Sequence, residues 1–425
     1  MAYTALLVYT AILFVRPQEW LVWMRGFPVL DVVVGVAVVA WVAGAAARRW
    51  RPNDAPQNWL MLGLLVAVVM SHVRHTYFAA TIASFQSFGK VVLLYLLVAS
   101  LISSVRRARV LILVMIAGCL VMSAHGIVQA HTGVGFGGSL PVVRGGVVRV
   151  RGFGIFHDPN DLSLMLVTIL PFLFSAVLRR GQAPPVRALS LAAIAPILYC
   201  IYLTNSRGGW LALGVMALVY ALVNFRSKKV AVAVAVVAVV GLVALGPSRI
   251  RNISAEEGAA HGRIIAWGQG NRMLKRWPVF GAGKGRFTEF SGTGLVAHNS
   301  FVHCWAELGL FGYFFWLGLV MATLKDGWAL TKGETEEDDE VAQLRRMGGA
   351  LVPALVGFLS AAFFLSRTYL LPLYIMFSLA AALRTIHERD GRELAGAFHL
   401  SDSKYVLAAE LASIPALYLL IRLIG

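Results

Sequence analysis

The chain alternates long apolar segments with short polar ones, and this pattern organises the whole sequence. Twelve apolar segments approach the length of about 20 residues that a helix needs to cross a bilayer. They lie near residues 2–15, 28–47, 58–73, 88–104, 109–130, 160–178, 188–204, 209–224, 229–246, 299–324, 347–365 and 369–386. A thirteenth, 406–424, carries two charged residues, so the pattern allows either a span or a helix at the membrane surface. The sequence therefore predicts an all-α polytopic membrane protein with about 12 transmembrane helices.

One polar segment, 247–298, is far longer than the others and separates the ninth and tenth apolar segments. It contains a stretch with helical spacing, so we predict a large helical extracytoplasmic loop. We divide the chain into the first five helices at 1–130, a core at 131–404 that includes this loop, and a C-terminal hydrophobic helix at 405–425.

Composition agrees with a membrane protein and narrows the choice of ligand. The chain has 425 residues, of which 58% are hydrophobic and 14% charged, and its mean hydropathy is +0.73. The net charge of +17 does not indicate nucleic-acid binding, since no soluble domain is available to hold a duplex. The three cysteines sit in apolar segments and predict no disulfide. The N-terminal segment lacks a basic region and a cleavage site, which favours an uncleaved first helix.

The positive charge is divided between the two sides of the predicted bundle. Six alternate loops, which share one side if there are twelve helices, carry 20 Lys and Arg, and the positive-inside rule assigns that side to the cytoplasm. Four loops on the other side (131–159, 205–208, 247–298 and 366–368) carry 13 more, which topology does not require. Because guanidinium groups bind phosphate oxygens bidentately, these outer charges indicate a phosphate or pyrophosphate ligand. Contact with lipid headgroups is the alternative.

Two short motifs present an arginine at the predicted outer surface. In TNSRGGW, residues 204–210, Arg207 lies between two apolar segments with almost no loop, and two glycines leave room for a ligand. In GRIIAW, residues 262–267, Arg263 and Trp267 share a helix face, which suits a phosphate and an adjoining sugar. The alternatives are an arginine that snorkels to headgroups and an amphipathic helix resting on the bilayer.

Four further residues are weaker candidates for substrate binding. Arg276 and Trp277 begin the stretch KRWPVFGAGKGRF, whose glycines resemble a phosphate loop. No strand precedes them and no GK[ST] ending follows, so we interpret the stretch as a flexible substrate loop or a plain turn. Arg149 and Arg151 precede a DPND turn, which is predicted to cap the sixth helix.

A histidine stands where the chain returns to the membrane in AHNSFVHCWAELGLFG. Asn299 or Ser300 can cap the helix that starts there, so His298 lies beside the positive end of the helix dipole. The dipole disfavours imidazolium, and a neutral His298 next to pyrophosphate-binding arginines suits a general base for a sugar hydroxyl. A purely structural histidine is the alternative. One to two turns deeper, His303 and Glu307 are four apart and are predicted to pair.

Patterns for a metal site are missing from the predicted outer side. No DxD or ExE pair is present, and Glu256 and Glu257 are adjacent and would diverge on a helix. We therefore expect metal-independent chemistry without a cofactor, in which arginines meet the charge of a leaving pyrophosphate.

In their order and spacing, these motifs resemble the O-antigen ligase and O-antigen polymerase superfamily. The resemblance is carried by SRGGW (206–210), GRIIAW (262–267) and AHNSF…AELGLFG (297–312), around one long outer loop and after GFGIFHDPND. It covers roughly residues 140–320. The stretch VRPQEW, residues 15–20, is also similar to the exosortase-associated O-glycosylation ligases of that superfamily.

The resemblance implies a metal-independent glycosyltransferase of the GT-C type in the bacterial inner membrane. It implies transfer of a glycan from undecaprenyl pyrophosphate to lipid A–core at the periplasmic face. It also implies that His298 activates the acceptor hydroxyl and that Arg207 and Arg263 engage the pyrophosphate. Arg276, Arg151, Arg149, Trp267, Trp277 and Asn299 are the expected substrate-binding residues. A single displacement should invert the anomeric centre.

Several other functions stay open at this point. O-antigen polymerases and protein O-oligosaccharyltransferases use the same type of donor and differ in the acceptor. A transporter of lipid or polysaccharide is a rival, although acids are nearly absent from the predicted spans and no internal repeat is visible. A non-catalytic lipid-binding partner of a polysaccharide machine is the third possibility.

Overall fold

The computed structural model describes residues 1–47, 53–179, 181–225, 227–245, 257–332, 339–389 and 391–424. Its long helices are α1 Ala2–Val15, α2 Val29–Ala46, α3 Pro56–Val73, α4 Phe78–Leu101, α5 Val105–Thr132, α6 Pro159–Leu178, α7 Pro184–Leu203, α8 Arg207–Asn224, α9 Lys228–Leu245, α10 Glu257–Arg276, α11 Ser300–Thr331, α12 Asp339–Ala362, α13 Leu371–Glu388 and α14 Ser403–Ile424. Short helices cover Pro17–Trp20 and Phe287–Phe290, and single 3-10 turns cover Val22–Met24, Phe136–Gly138, Gly154–Phe156 and Leu400–Asp402.

Each predicted apolar segment coincides with a helix, and the outer loop contains helix α10 as expected. Within the described ranges, nine helices are long and apolar enough to cross a membrane, α2 to α8, α11 and α14. Helix α1 is shorter, with 14 residues, while α12 and α13 carry charged residues at one end. A polytopic helical membrane protein is therefore supported. The count of twelve spans and the boundaries at 130 and 404 remain predictions.

The structure is consistent with the all-α prediction, and the chain after α5 adds a short β-hairpin that was not predicted. Strands β1, Val142–Arg144, and β2, Val147–Arg149, pair antiparallel with Val143 opposite Val148. The sequence VVRGGVVR carried this signal, since two glycines between valine pairs are typical of a tight hairpin turn. Gly145 and Gly146 both have positive φ, 58° and 75°. The hairpin places Arg144 at its tip.

At each end of the bundle, a contact joins two segments whose ends are predicted to lie on the same side. At the end that holds the outer loop, which we call the site end, His75 Nε2 lies 3.0 Å from the carbonyl oxygen of Gly281. At the opposite end, Asn224 Nδ2 donates to the carbonyl of Gly349 over 2.9 Å. These contacts support the predicted alternation of the helices between two faces.

The glycine-rich segment after α10 packs into a break in α11. Gly309 interrupts α11 with φ of 66°, and a β-carbon there would lie 2.3 Å from the carbonyl oxygen of Val279. Backbone hydrogen bonds bridge the break, from Ala282 to Ala306, Gly283 to Glu307, Leu310 to Pro278 and Phe311 to Val279. The segment consists of turns, which agrees with the second of the two interpretations given for it. Its four backbone hydrogen bonds to α11 argue against a flexible substrate loop.

Candidate functional site

Three helices begin close together at the site end, and each is capped by the side chain before it. Asp158 caps α6, Ser206 caps α8, and Asn299 caps α11 by accepting from the backbone N–H groups of Phe301 and Val302. The predicted caps on α6 and α11 are confirmed. Converging helix N-termini favour an anion, because unpaired N–H groups and helix dipoles point outward there.

Buried side chains fasten the start of α8 to the start of α6. Ser206 Oγ donates to Asn160 Oδ1 over 2.8 Å, and Arg149 donates to the same oxygen over 2.8 Å and to the Thr204 carbonyl over 3.0 Å. A β-carbon on Gly209 would lie 1.8 Å from a serine hydroxyl of α6, so only glycine permits this approach. Of the two glycines after Arg207, the second, Gly209, therefore has a role in packing α8 against α6.

The linker between α12 and α13 fastens α11 to α6. Ser300 Oγ donates to the Leu365 carbonyl over 2.6 Å and accepts from the Arg367 N–H over 2.7 Å. The Arg367 guanidinium makes a two-pronged ion pair with Asp161 of α6. The backbone N–H of His298 donates to Ser366 Oγ over 2.8 Å. His298 is thus fixed by its backbone in a frame shared by three helices.

His298 itself is half-buried and has an unusual backbone conformation. Its φ is 50°, in the left-handed region that non-glycine residues rarely adopt. Burial lowers the pKa of His298, and the nearby charges of Arg263 and Arg367 lower it further. The charge of Asp158 raises the pKa of His298, while that of Arg144 at the hairpin tip lowers it. The imidazole is therefore held in its neutral form, able to accept a proton.

The arginines of the two sequence motifs act on each other electrostatically. Burial lowers the pKa of Arg263, and the charges of Arg207 and Arg144 lower it further. The Arg263 guanidinium lies 5.9 Å from the ring centroid of Phe364, and a β-carbon on Gly208 would lie 3.8 Å from the same side chain. GRIIAW and SRGGW thus meet across Phe364. Like charges held together in this way suit a multiply charged anion.

Both tryptophans predicted to contact a sugar pack against protein side chains, and their role in sugar binding stays a prediction. Trp267 shares a helix face with Arg263 as predicted, but it is buried, with its ring 5.5 Å from that of Phe363. Trp277 lies edge-on to Phe290 at 4.8 Å, and the exposed Arg276 lies over the same indole at 4.6 Å. These contacts give both tryptophans a role in packing the outer loop.

The remaining predicted residues have mixed surroundings. Arg149 is buried and holds α6 to α8, so its guanidinium is part of the frame. Arg151 lines a separate cavity of about 370 Å³ together with Glu19, His157 and the short 3-10 turn at Phe136–Gly138. Asn299 Oδ1 caps α11, while its buried Nδ2 has no hydrogen-bond partner among the described residues.

Two residues near His298 had no role assigned from the sequence, although both were counted among the outer charges. The position of Arg144 follows from the β-hairpin, which was not predicted although its Gly-Gly turn is visible in the sequence. Arg367 lies 69 residues after His298 in the sequence and belongs to none of the motifs. The predicted pair of His303 and Glu307 is confirmed, with Nε2 3.2 Å from Oε1.

Within the ranges that the structure describes, no three His, Cys, Asp or Glu side chains form a group that would hold a metal ion. Metal-independent chemistry and the absence of a cofactor remain predictions.

Comparison with known families identifies part of the chain. Residues 191–317 match the family model described as O-Antigen ligase, and this range includes both arginine motifs and His298. The resemblance to the O-antigen ligase and polymerase superfamily is therefore confirmed. A search of curated proteins found no match.

Proposed function

We propose that this protein is a glycosyltransferase that moves a glycan from undecaprenyl pyrophosphate to lipid A–core. The observation that carries the proposal is a neutral His298 on which Arg263, Arg367 and Arg144 act, at the point where three helices begin. Arg207 joins this cluster through its effect on Arg263. In this proposal the protein has a GT-C architecture, lies in the bacterial inner membrane, and turns its site end to the periplasm.

The arginine cluster supplies the electrostatics that the leaving group requires. As the glycosidic bond breaks, negative charge develops on the pyrophosphate oxygen, and fixed cations stabilise that charge. Arg207 stands at the first position of α8, so the guanidinium and the helix N-terminus act in the same place. The repulsion of Arg263 by Arg207 and Arg144 is relieved when the pyrophosphate binds.

His298 supplies the base. Its neutral imidazole takes the proton of the acceptor hydroxyl, whose oxygen forms a bond to the anomeric carbon. The bond from that carbon to the pyrophosphate oxygen breaks in the same step, so the configuration inverts. Asn299, one residue along, is buried, and its Oδ1 caps α11, so its part in this proposal is to position His298.

Reconstitution tests the proposal. Purified protein, an undecaprenyl-pyrophosphate-linked glycan and lipid A–core should yield a glycan-capped core in the presence of EDTA. His298→Ala should abolish this product, whereas His399→Ala, at the exposed opposite end, should leave it unchanged. Full transfer by His298→Ala, or activity lost to EDTA, would refute the mechanism.

The acceptor distinguishes this activity from its relatives. O-antigen polymerases extend a growing chain, and protein O-oligosaccharyltransferases glycosylate a protein, from the same donor site. Deletion of the gene followed by analysis of the surface glycan separates the first two. Free lipid-linked polymer with bare core supports the ligase, and core capped by one repeat supports the polymerase.

A further inference from the structure

A second basic pocket lies at the site end, between the turn that joins α3 to α4 and the loop that follows α10. Its volume is about 610 Å³. Lys284, Arg286 and Glu289 line it from the loop and the short helix after it. Tyr77 lines it from the turn, and His72 and Ser84 line it from α3 and α4. Its described lining residues are all different from those around His298, so it is a separate site.

Lys284 is held in place and lacks enough compensating charge. Its half-buried ammonium donates to Ser87 Oγ over 3.1 Å and lies 5.2 Å from the ring centroid of Tyr369. Burial lowers the pKa of Lys284, and the charge of Glu307 opposes this effect without reversing it. An ammonium has three donors, so two remain for a ligand.

Arg286 supplies the second cation. Its guanidinium stacks over the ring of Tyr77 at 3.7 Å. Its Nε and Nη2 both donate to Glu289, which leaves the Nη1 donors for a ligand. Glu289 is more than half exposed, so water weakens its effect. Among the residues that line the pocket, two cations therefore face one solvated carboxylate. The buried Glu307, which is paired with His303, lies outside this lining.

An exposed apolar ridge adjoins the pocket. The small residues Ala79, Ala80 and Ala83 line the wall that α4 forms. On the same helix, Phe78, Ile82 and Phe85 are 70%, 59% and 51% exposed. Their spacing of four and three residues places them on one face, which suits contact with hydrocarbon chains.

We infer that this pocket binds the phosphate of a lipid headgroup, with the acyl chains lying along the Phe78 face of α4. Lys284 and Arg286 meet the phosphate oxygens by charge-assisted hydrogen bonds. Cations at the surface beside an apolar face match the two parts of such a lipid. The inference goes beyond the proposed glycosyl transfer and does not depend on it.

Lipid titrations of the full-length protein in detergent, followed by native mass spectrometry, test this. The probes are phosphatidylglycerol, a diacylglycerol with the same chains, and inorganic phosphate as a competitor. Lys284→Met removes the charge and keeps the stem over Tyr369, and Lys284→Arg restores the charge. Lys275→Met is the matched control, because Lys275 is exposed at the end of α10 and lies over Tyr418.

Native protein should bind phosphatidylglycerol at least about tenfold more tightly than diacylglycerol. Lys284→Met should lose about tenfold, while Lys284→Arg and Lys275→Met should match native protein. Arg286→Met carries the same expectation as Lys284→Met, so misfolding of one variant leaves the test intact. Equal binding of the two lipids, unchanged binding in both Met variants, or displacement by millimolar inorganic phosphate would overturn the inference.

Discussion

Arg384 and Arg263 stand at opposite ends of the same bundle and have opposite electrostatic surroundings. Arg384 is buried, with Nη1 3.5 Å from Asp326 and Nε 3.0 Å from Glu388, and it donates to the Phe398 carbonyl. Asp326 in turn accepts from the Phe398 N–H over 2.7 Å. For Arg263 the charges that act most strongly are those of two other arginines.

This difference separates a charge that stabilises the fold from a cluster of like charges that we propose binds the substrate. A buried ion pair whose charges neutralise each other is costly to break, and it needs no further ligand. A cluster of like charges is destabilising by itself, and an incoming anion removes that cost. Each prediction below changes a residue at one end of the bundle and measures glycan transfer or protein stability.

Replacing His298 by Asn should have the largest effect on transfer. Asparagine tolerates the left-handed backbone at this position, so the fold is kept while the base is lost. We expect the turnover number to fall by about 10²- to 10⁴-fold with no change in melting temperature. A variant with native turnover would show that His298 is structural.

Arg384→Met should damage the opposite end without touching the site. It leaves Asp326 buried without its counter-ion, which costs about 3–5 kcal/mol of unfolding free energy. Addition of Asp326→Asn removes the orphaned charge and keeps an acceptor for the Phe398 N–H, so the double variant should regain part of the loss. Denaturation in detergent measures both. Equal stability of native and Arg384→Met protein would contradict the comparison.

Arg263→Gln should reduce transfer by about 10- to 100-fold, the value of a charge-assisted hydrogen bond to phosphate. Arg263→Lys should recover only part of this, because an ammonium does not bind two phosphate oxygens in the bidentate geometry. Steady-state kinetics with varied donor measure both variants. Native kcat/KM in Arg263→Gln would remove Arg263 from the donor site.

Local sequence signals were enough for the helices and their caps at this site. Asp158 and Asn299 precede apolar helices and make the expected bonds to the next N–H groups. By contrast, the ion pair between Arg367 and Asp161 joins residues 206 positions apart and leaves no periodic signal. Trp267 shows the same limit, because helical spacing placed it on the face of Arg263 but did not reveal that Phe363 covers its ring.

The pH dependence of transfer should reflect the lowered pKa of His298. Burial and the charges of Arg263 and Arg367 lower that pKa below its ordinary value of 6.5. Since the base acts in its neutral form, kcat/KM should fall only when the pH drops below 6.5. Arg263→Gln removes one of the repelling charges, so its acid limb should move to higher pH. Coincident limbs would show that Arg263 does not act on His298.

The smallest expected effect concerns the stability of the protein measured without substrate. Removing the charge of Arg263 relieves its repulsion by Arg207 and Arg144, so unliganded Arg263→Gln should be more stable than native protein by up to about 1 kcal/mol. High salt should shrink this difference, because it screens the half-exposed charges. Thermal melts of the two proteins at low and high salt measure it. A loss of stability would mean that the stem of Arg263 over Phe364 contributes more than the repulsion costs.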